Sequence, residues 1–187
     1  MSASLSVSQA SIWNTSFNIS ASFNNNIFRF QTAGVFDVLT IPDGLYSLSG
    51  LNAYLATQFV NLGLSSNLIV ISGDEATQRS IITFLNIGDE LDFTVENSVK
   101  QILGFNSRIV VALSAGFNEF SDNTANFNRV NSYLIRSNLV SQGIPINSIG
   151  QGIIAQIPID VAPSSQINYQ PRNPIPVDAQ ELTGMGK

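Results

Sequence analysis

The stretch Leu39–Leu62, LTIPDGLYSLSGLNAYLATQFVNL, constrains the fold more than any other part of the chain. An apolar run ends at Pro42-Asp43-Gly44, where Pro presets φ and Gly supplies a positive one. A helix then starts at a serine, Ser47 or Ser49, whose hydroxyl can accept from the free N–H groups of the first turn. Leu48, Leu51, Leu55, Phe59 and Leu62 recur at helical spacing and predict one apolar face. Gly63 stands where a left-handed residue closes a helix. Strand, turn and helix follow directly from these residues.

Around this unit nearly every segment reads as strand or loop. Ile27–Phe30 and Val35–Ile41 are rich in aromatic and β-branched residues and flank a turn at Ala33-Gly34. Leu68–Ser72 and Ser80–Leu85 flank Gly73–Gln78 and predict a hairpin. Leu91–Val95 alternates as a strand does. Asn97 is placed to cap a short helical turn over about 98–103, which Gly104 ends. Ile109–Leu113, Val130–Leu139 and Ile153–Ile159 complete a count of about eight strands. Residues 116–128 read as a polar loop carrying Phe117, Phe120 and Phe127.

Residues 1–26 read as an extended arm with weak β pairing around Ile12, Trp13, Phe17 and Ile19. Trp13 is expected to fill a local core contact or to anchor the arm on a neighbouring surface. Residues 163–187 form a Pro-rich tail suited to short extended pieces and not to central strands, because Pro cannot donate to a ladder. The expected division is an arm at 1–26, a β-domain at 27–162 and a tail at 163–187.

Only 11% of the 187 residues are charged, against about a quarter in an average domain. Either a neutral polar surface or faces covered by other protein accounts for this. The formal charge of −5, with eight scattered basic residues, argues against nucleic-acid binding, which needs a basic face. No stretch is long enough to span a membrane, and the N-terminus lacks the features of a signal peptide. With no Cys, the redox compartment is undetermined. Asn14 and Asn18 stand in Asn-x-Ser sequons.

The chain contains neither His nor Cys, which excludes a Ser-His-Asp triad, a cysteine nucleophile and Cys/His zinc sites. Catalysis would rest on carboxylates, a Ser-Lys pair or an oxygen-ligated metal. Asp74-Glu75 and Asp89-Glu90-x-Asp92 are the acidic clusters. They suit solvated hairpin turns, a calcium site or a glycosidase carboxylate pair; the first reading is preferred. Ser98 and Lys100 lie too close in sequence for a Ser-x-x-Lys motif.

The order of these segments resembles the jelly-roll capsid proteins of tailless icosahedral double-stranded DNA viruses, virophages and polinton-like elements. The resemblance rests on Ile41, Pro42, Gly44 and Tyr46 leading into a helix with Asn52 near its start. It continues through Leu103-Gly104-Phe105 and Ser137-Asn138-Leu139-Val140, and spans roughly residues 15–178. It implies an all-β jelly-roll sandwich with one amphipathic helix at about 48–62. It further implies a structural virion protein located in the capsid, without catalytic activity, cofactor or metal. Its partners would be copies of itself and other capsid proteins.

The family's pattern continues with closing strands beyond the Pro-rich segment. Here these are either missing or supplied by the arm or a neighbour. A single roll favours a minor or penton-type subunit, or a piece of something longer. Leu182-Thr183-Gly184-Met185-Gly186 resembles the sites cut by maturation proteases of adenovirus-like viruses. The alternative is a carbohydrate- or receptor-binding sandwich of a virus or phage fibre, using the Phe117–Phe127 loop.

Overall fold

In a computed structural model, residues 4–127, 130–140, 152–161 and 164–178 are described. The protein is mostly β, with several antiparallel sheets and two helices. In chain order the elements are β1 (Ser4–Leu5), β2 (Ala10–Trp13), β3 (Ile27–Thr32), β4 (Val35–Thr40), α1 (Leu48–Asn61), β5 (Ile69–Asp74), β6 (Arg79–Phe84) and β7 (Glu90–Asp92). There follow α2 (Lys100–Leu103), β8 (Ile109–Val111), β9 (Asn118–Thr124), β10 (Ser132–Arg136), β11 (Ile153–Pro158), β12 (Gln166–Tyr169) and β13 (Val177–Asp178). The described residues therefore hold thirteen short strands where about eight were expected. The proposed cleavage motif at 182–186 and most of the connection at 141–152 lie outside the described residues.

The chain forms two compact units, Ser16–Arg129 and Met1–Thr15 with Val130–Lys187. This cuts across the expected arm, domain and tail. Residues 16–26 group with the larger unit because Asn18 and Ser20 bond to the Pro42–Tyr46 turn.

The larger unit holds a four-stranded sheet in the order β4-β3-β7-β8 and a three-stranded sheet in the order β5-β6-β9. The β3–β4 hairpin turns on Ala33 (φ 48°) and Gly34 (φ 79°), the left-handed pair that a two-residue hairpin loop demands. Its inward residues, Phe28, Phe30 and Leu39, are buried. They join Ile71, Ile82 and Phe84 of the second sheet and Leu51, Leu55 and Phe59 of α1 in one core. The Phe30 and Phe59 rings meet edge to face at 5.1 Å.

α1 follows its sequence closely. Ser47 Oγ accepts from Gly50 N–H at 3.0 Å, and Gly63 has φ 75°. Leu62 is the exception on the predicted apolar face, being 46% exposed at the C-cap. Asn52 joins the helix to β5: its Oδ1 accepts from Ile71 N–H at 2.8 Å and its Nδ2 donates to Ile71 O. One side-chain amide thus substitutes for a neighbouring strand.

Three expectations are corrected. The predicted loop at 116–128 contains β9, which pairs with β6 from Thr83↔Asn118 to Arg79↔Thr124. Asn97 does not cap α2; it adopts φ 60°, while the N-cap residue Val99 makes no side-chain cap bond. Trp13 fills no local core, being 58% exposed. Gly104 ends α2 as predicted, at φ 79°. A Cβ there would lie 2.3 Å from Asn123 O of β9, so the backbone approach alone requires glycine.

Among its described residues the smaller unit holds three antiparallel pairs, β1–β13, β2–β12 and β10–β11. The arm residues Ala10–Trp13 are paired with Gln166–Tyr169 of the tail, so arm and tail supply strands to each other. Val140, Ile154 and Val177 form the unit's small core, with Leu5, Val7 and Ile135 against it.

Candidate interaction surface

The register of the four-stranded sheet fixes what its outer face displays. Two rows run straight across the strands: Val38, Arg29, Asp92 and Ile109, then Phe36, Gln31, Glu90 and Val111. Strand residues alternate sides, so these rows face away from the core that holds Phe28, Phe30 and Leu91. The four residues on the border strands are apolar and exposed: Val38 55%, Phe36 46%, Ile109 47% and Val111 40%. The outer face therefore has apolar margins and a polar centre.

One ion pair lies at that centre. Arg29 Nη1 donates to Asp92 Oδ2 at 2.7 Å, and its guanidinium lies 4.3 Å from the Phe36 ring centroid, an arrangement that favours Arg over Lys. Asp92 is buried. Burial alone would raise its pKa, but hydrogen bonds from Thr94 Oγ1 and Thr94 N–H, with the Arg29 charge, hold it below the ordinary aspartate value. Glu90, in the second row, is the one charge of this face without an ion-pair partner among the described residues. A contact made here either leaves it in water or meets it with a donor, because desolvating unpaired charge is costly.

The acidic clusters divide. Asp74 and Glu75 do occupy an exposed hairpin turn, where Asp74 Oδ2 accepts from Thr77 Oγ1 at 2.5 Å. That bond is the main reason its carboxyl sits below the usual range. Asp89 and Asp92 are not solvated as expected, being 2% and 3% exposed. Asp89 accepts from Thr32 Oγ1 at 2.8 Å and from Asn86 Nδ2 at 3.1 Å. Buried carboxylates persist where donors satisfy them, and here each has one donor from a distant strand, Thr32 or Arg29, beside a local one, Asn86 or Thr94. Among the described residues no group of three or more carboxylates is placed to hold a metal ion.

The three phenylalanines expected on one loop are dispersed. Phe117 packs near Phe84, with ring centroids 6.5 Å apart. Phe120 is 44% exposed beneath Arg79, and Phe127 packs against the core. Phe127 also lines a cleft of about 450 Å³ with Leu48, Asp74, Gln78 and Arg79. Arg79 is engaged there, its Nε donating to Ser121 O.

The two sequon asparagines are buried. Asn18 spends its whole side chain internally: Nδ2 donates to Tyr46 O at 2.7 Å and Phe127 O at 2.9 Å, and Oδ1 accepts from Tyr46 N–H at 2.8 Å. In the folded protein this nitrogen is no acceptor for a glycan. The Pro42–Tyr46 turn is a hub for the preceding segment. Asp43 accepts from Ala21 N–H and Ser20 Oγ, two bonds that lower its pKa. Gly44 does not take the positive φ expected of it; a Cβ there would stand 2.9 Å from the Tyr46 ring, so a side chain at this position would have to displace that ring. Local sequence rules flagged the turn but not its partners.

No helix among the described residues is long and apolar enough to cross a membrane. No protein-family model matches the chain, and comparison with curated proteins and with solved structures returns no match.

Proposed function

We propose that this chain is a structural virion protein, a minor or penton-type capsid subunit that acts through contacts with copies of itself and with other capsid proteins. The observation that carries the proposal is the outer face of the four-stranded sheet, whose margins leave Phe36, Val38, Ile109 and Val111 in water. A single exposed apolar residue is ordinary. Four of them in register on one sheet, around a neutralised ion pair, mark an interaction surface.

The resemblance to viral jelly rolls supports the same reading. Its motif residues have definite structural duties: Gly44 and Tyr46 shape the turn, Asn52 clamps α1 to β5, and Gly104 admits β9. The jelly-roll reading assigns the two sheets of the larger unit to the opposed layers of such a roll.

Quantitative mass spectrometry of particles purified from the source material tests the proposal. The chain is expected at a fixed copy number relative to the other shell proteins. Absence from the particles, together with a monomeric mass at every concentration in solution, overturns it.

A further inference from the structure

The four-stranded sheet ends at two borders, β4 and β8, and the ladder bonds identify which backbone groups point outward. On the β4 side, Ile41 N–H donates to Asn26 O, toward β3. Successive residues in a strand turn their N–H and C=O to opposite sides. Val35, Asp37 and Leu39 therefore face β3, while Phe36, Val38 and Thr40 face away. The Thr40 carbonyl is already taken by Tyr54 Oη at 3.0 Å, which leaves Phe36 and Val38.

On the β8 side, Arg108 O accepts from Phe93 N–H, and Ala112 both donates to Asp89 and accepts from Gly88. Arg108, Val110 and Ala112 thus face β7, and Ile109 and Val111 face away. Each border offers two outward residues, two apart, and all four carry exposed apolar side chains on the same outer face. β8 carries no charge, proline or bulge of the kind that protects an edge, and β4 carries a single charge, Asp37, on the side opposite Phe36 and Val38.

We infer that β4 of one copy pairs with β8 of the next, so that the sheet continues across the subunit boundary. The pairing is antiparallel because β4 and β8 run in opposite directions within the sheet. Its register sets Phe36 opposite Val111 and Val38 opposite Ile109. Asp37 then faces Val110.

Two two-fold arrangements compete: β8 against its own mate sets Val110 opposite Val110 and leaves every β4 border unpaired, and β4 against its own mate is disfavoured by charge. The register that uses Phe36 and Val38 alone sets Asp37 directly opposite Asp37 of the second copy, a destabilising like-charge pair. Shifting the register brings in Thr40, whose carbonyl is occupied. Head-to-tail pairing avoids both, and such an interface closes into a ring or runs on as a filament. This deepens the capsid-subunit reading, on which it rests for the meaning of a closed ring.

The chain has no cysteine, so single-cysteine variants report the pairing directly. Cross-strand residues in a hydrogen-bonded pair have Cα atoms about 5.5 Å apart, within disulfide reach. Val38→Cys and Ile109→Cys are made separately, with unchanged circular dichroism and melting as the folding control, and oxidised alone and as an equimolar mixture. The expected result is a shift from monomer to disulfide dimer in the mixture and in neither variant alone. A dimer in Val38→Cys alone or Ile109→Cys alone shows that these positions meet their own copies in another register and overturns the inference, as does no dimer in the mixture. A chain present in particles but uncrosslinked loses this pairing and keeps the capsid role. A crosslinked chain absent from particles does the reverse.

Discussion

The two faces of the β4-β3-β7-β8 sheet are built from the same four strands, yet they answer to different demands. Inward, Phe28, Phe30, Leu91 and Val110 are each at most 5% exposed and merge with α1 and the second sheet. Outward, Phe36, Val38, Ile109 and Val111 are equally apolar but 40–55% exposed. Between them sit Arg29 and Asp92, paired to each other. The first face is apolar because folding buries it. The second is apolar where water reaches it, with only Phe36 engaged within the chain, beneath the Arg29 guanidinium; the capsid-subunit proposal takes its composition as serving a partner.

That contrast breaks if the inner face proves dispensable. Phe30 is fully buried and touches both Phe28 and Phe59 at aromatic contact distances of 6.2 and 5.1 Å. Phe30→Ala is expected to cost about 4 kcal/mol, the transfer loss plus the cavity it leaves. Chemical denaturation of the variant against the parent measures this. A loss under about 1 kcal/mol would mean the site collapses freely and the core is not close-packed there.

Next in size is the ion pair at the centre of the outer face. Asp92→Asn keeps the shape but removes the charge that Arg29 and Thr94 bind, and is expected to cost about 2 kcal/mol. The linkage has a definite sign. Because the folded Asp92 carboxyl lies below its ordinary value, its contribution is full above the unfolded pKa of about 3.9. It is lost as the pH falls through the lowered folded value. Melting temperature followed from neutral pH into acid should fall with a component that Asp92→Asn lacks. Identical acid profiles for parent and variant would remove this residue from the balance.

Much of the inner face was legible because its signals are local. Ala33-Gly34, Pro42-Asp43-Gly44, Ser47 and Gly104 are turn and cap residues whose duties depend on their own φ or on neighbours a few positions away. The strand β9 escaped because Asn118–Thr124 reads NEFSDNT, with one large apolar residue in seven. Its place is set by β6, where Ser121 Oγ accepts from Ser80 N–H at 3.1 Å and Ser121 O takes Arg79. Asn97 misled because asparagine suits both an N-cap and the left-handed region, and only the second was needed. Asp89 and Asp92 looked like turn acids since their donors, Thr32 and Arg29, lie 57 and 63 residues away. The outer face was illegible for a different reason. Val35–Thr40 shows the composition of a strand, and composition cannot say which half of a sheet water will reach.

The smallest expected effect is the most telling about that outer face. Val111→Thr keeps the branched side chain and the β preference while exchanging a methyl for a hydroxyl at a site 40% exposed. If the inner face alone holds the fold, denaturation of the dilute protein should change by no more than about 0.5 kcal/mol, as for an ordinary surface position. If the outer face exists for assembly, the same substitution should weaken self-association, read as a lower average mass by light scattering across a concentration series. An unchanged mass with unchanged stability would make Val111 an ordinary exposed valine and leave the inner and outer faces without the difference in purpose argued from their exposure.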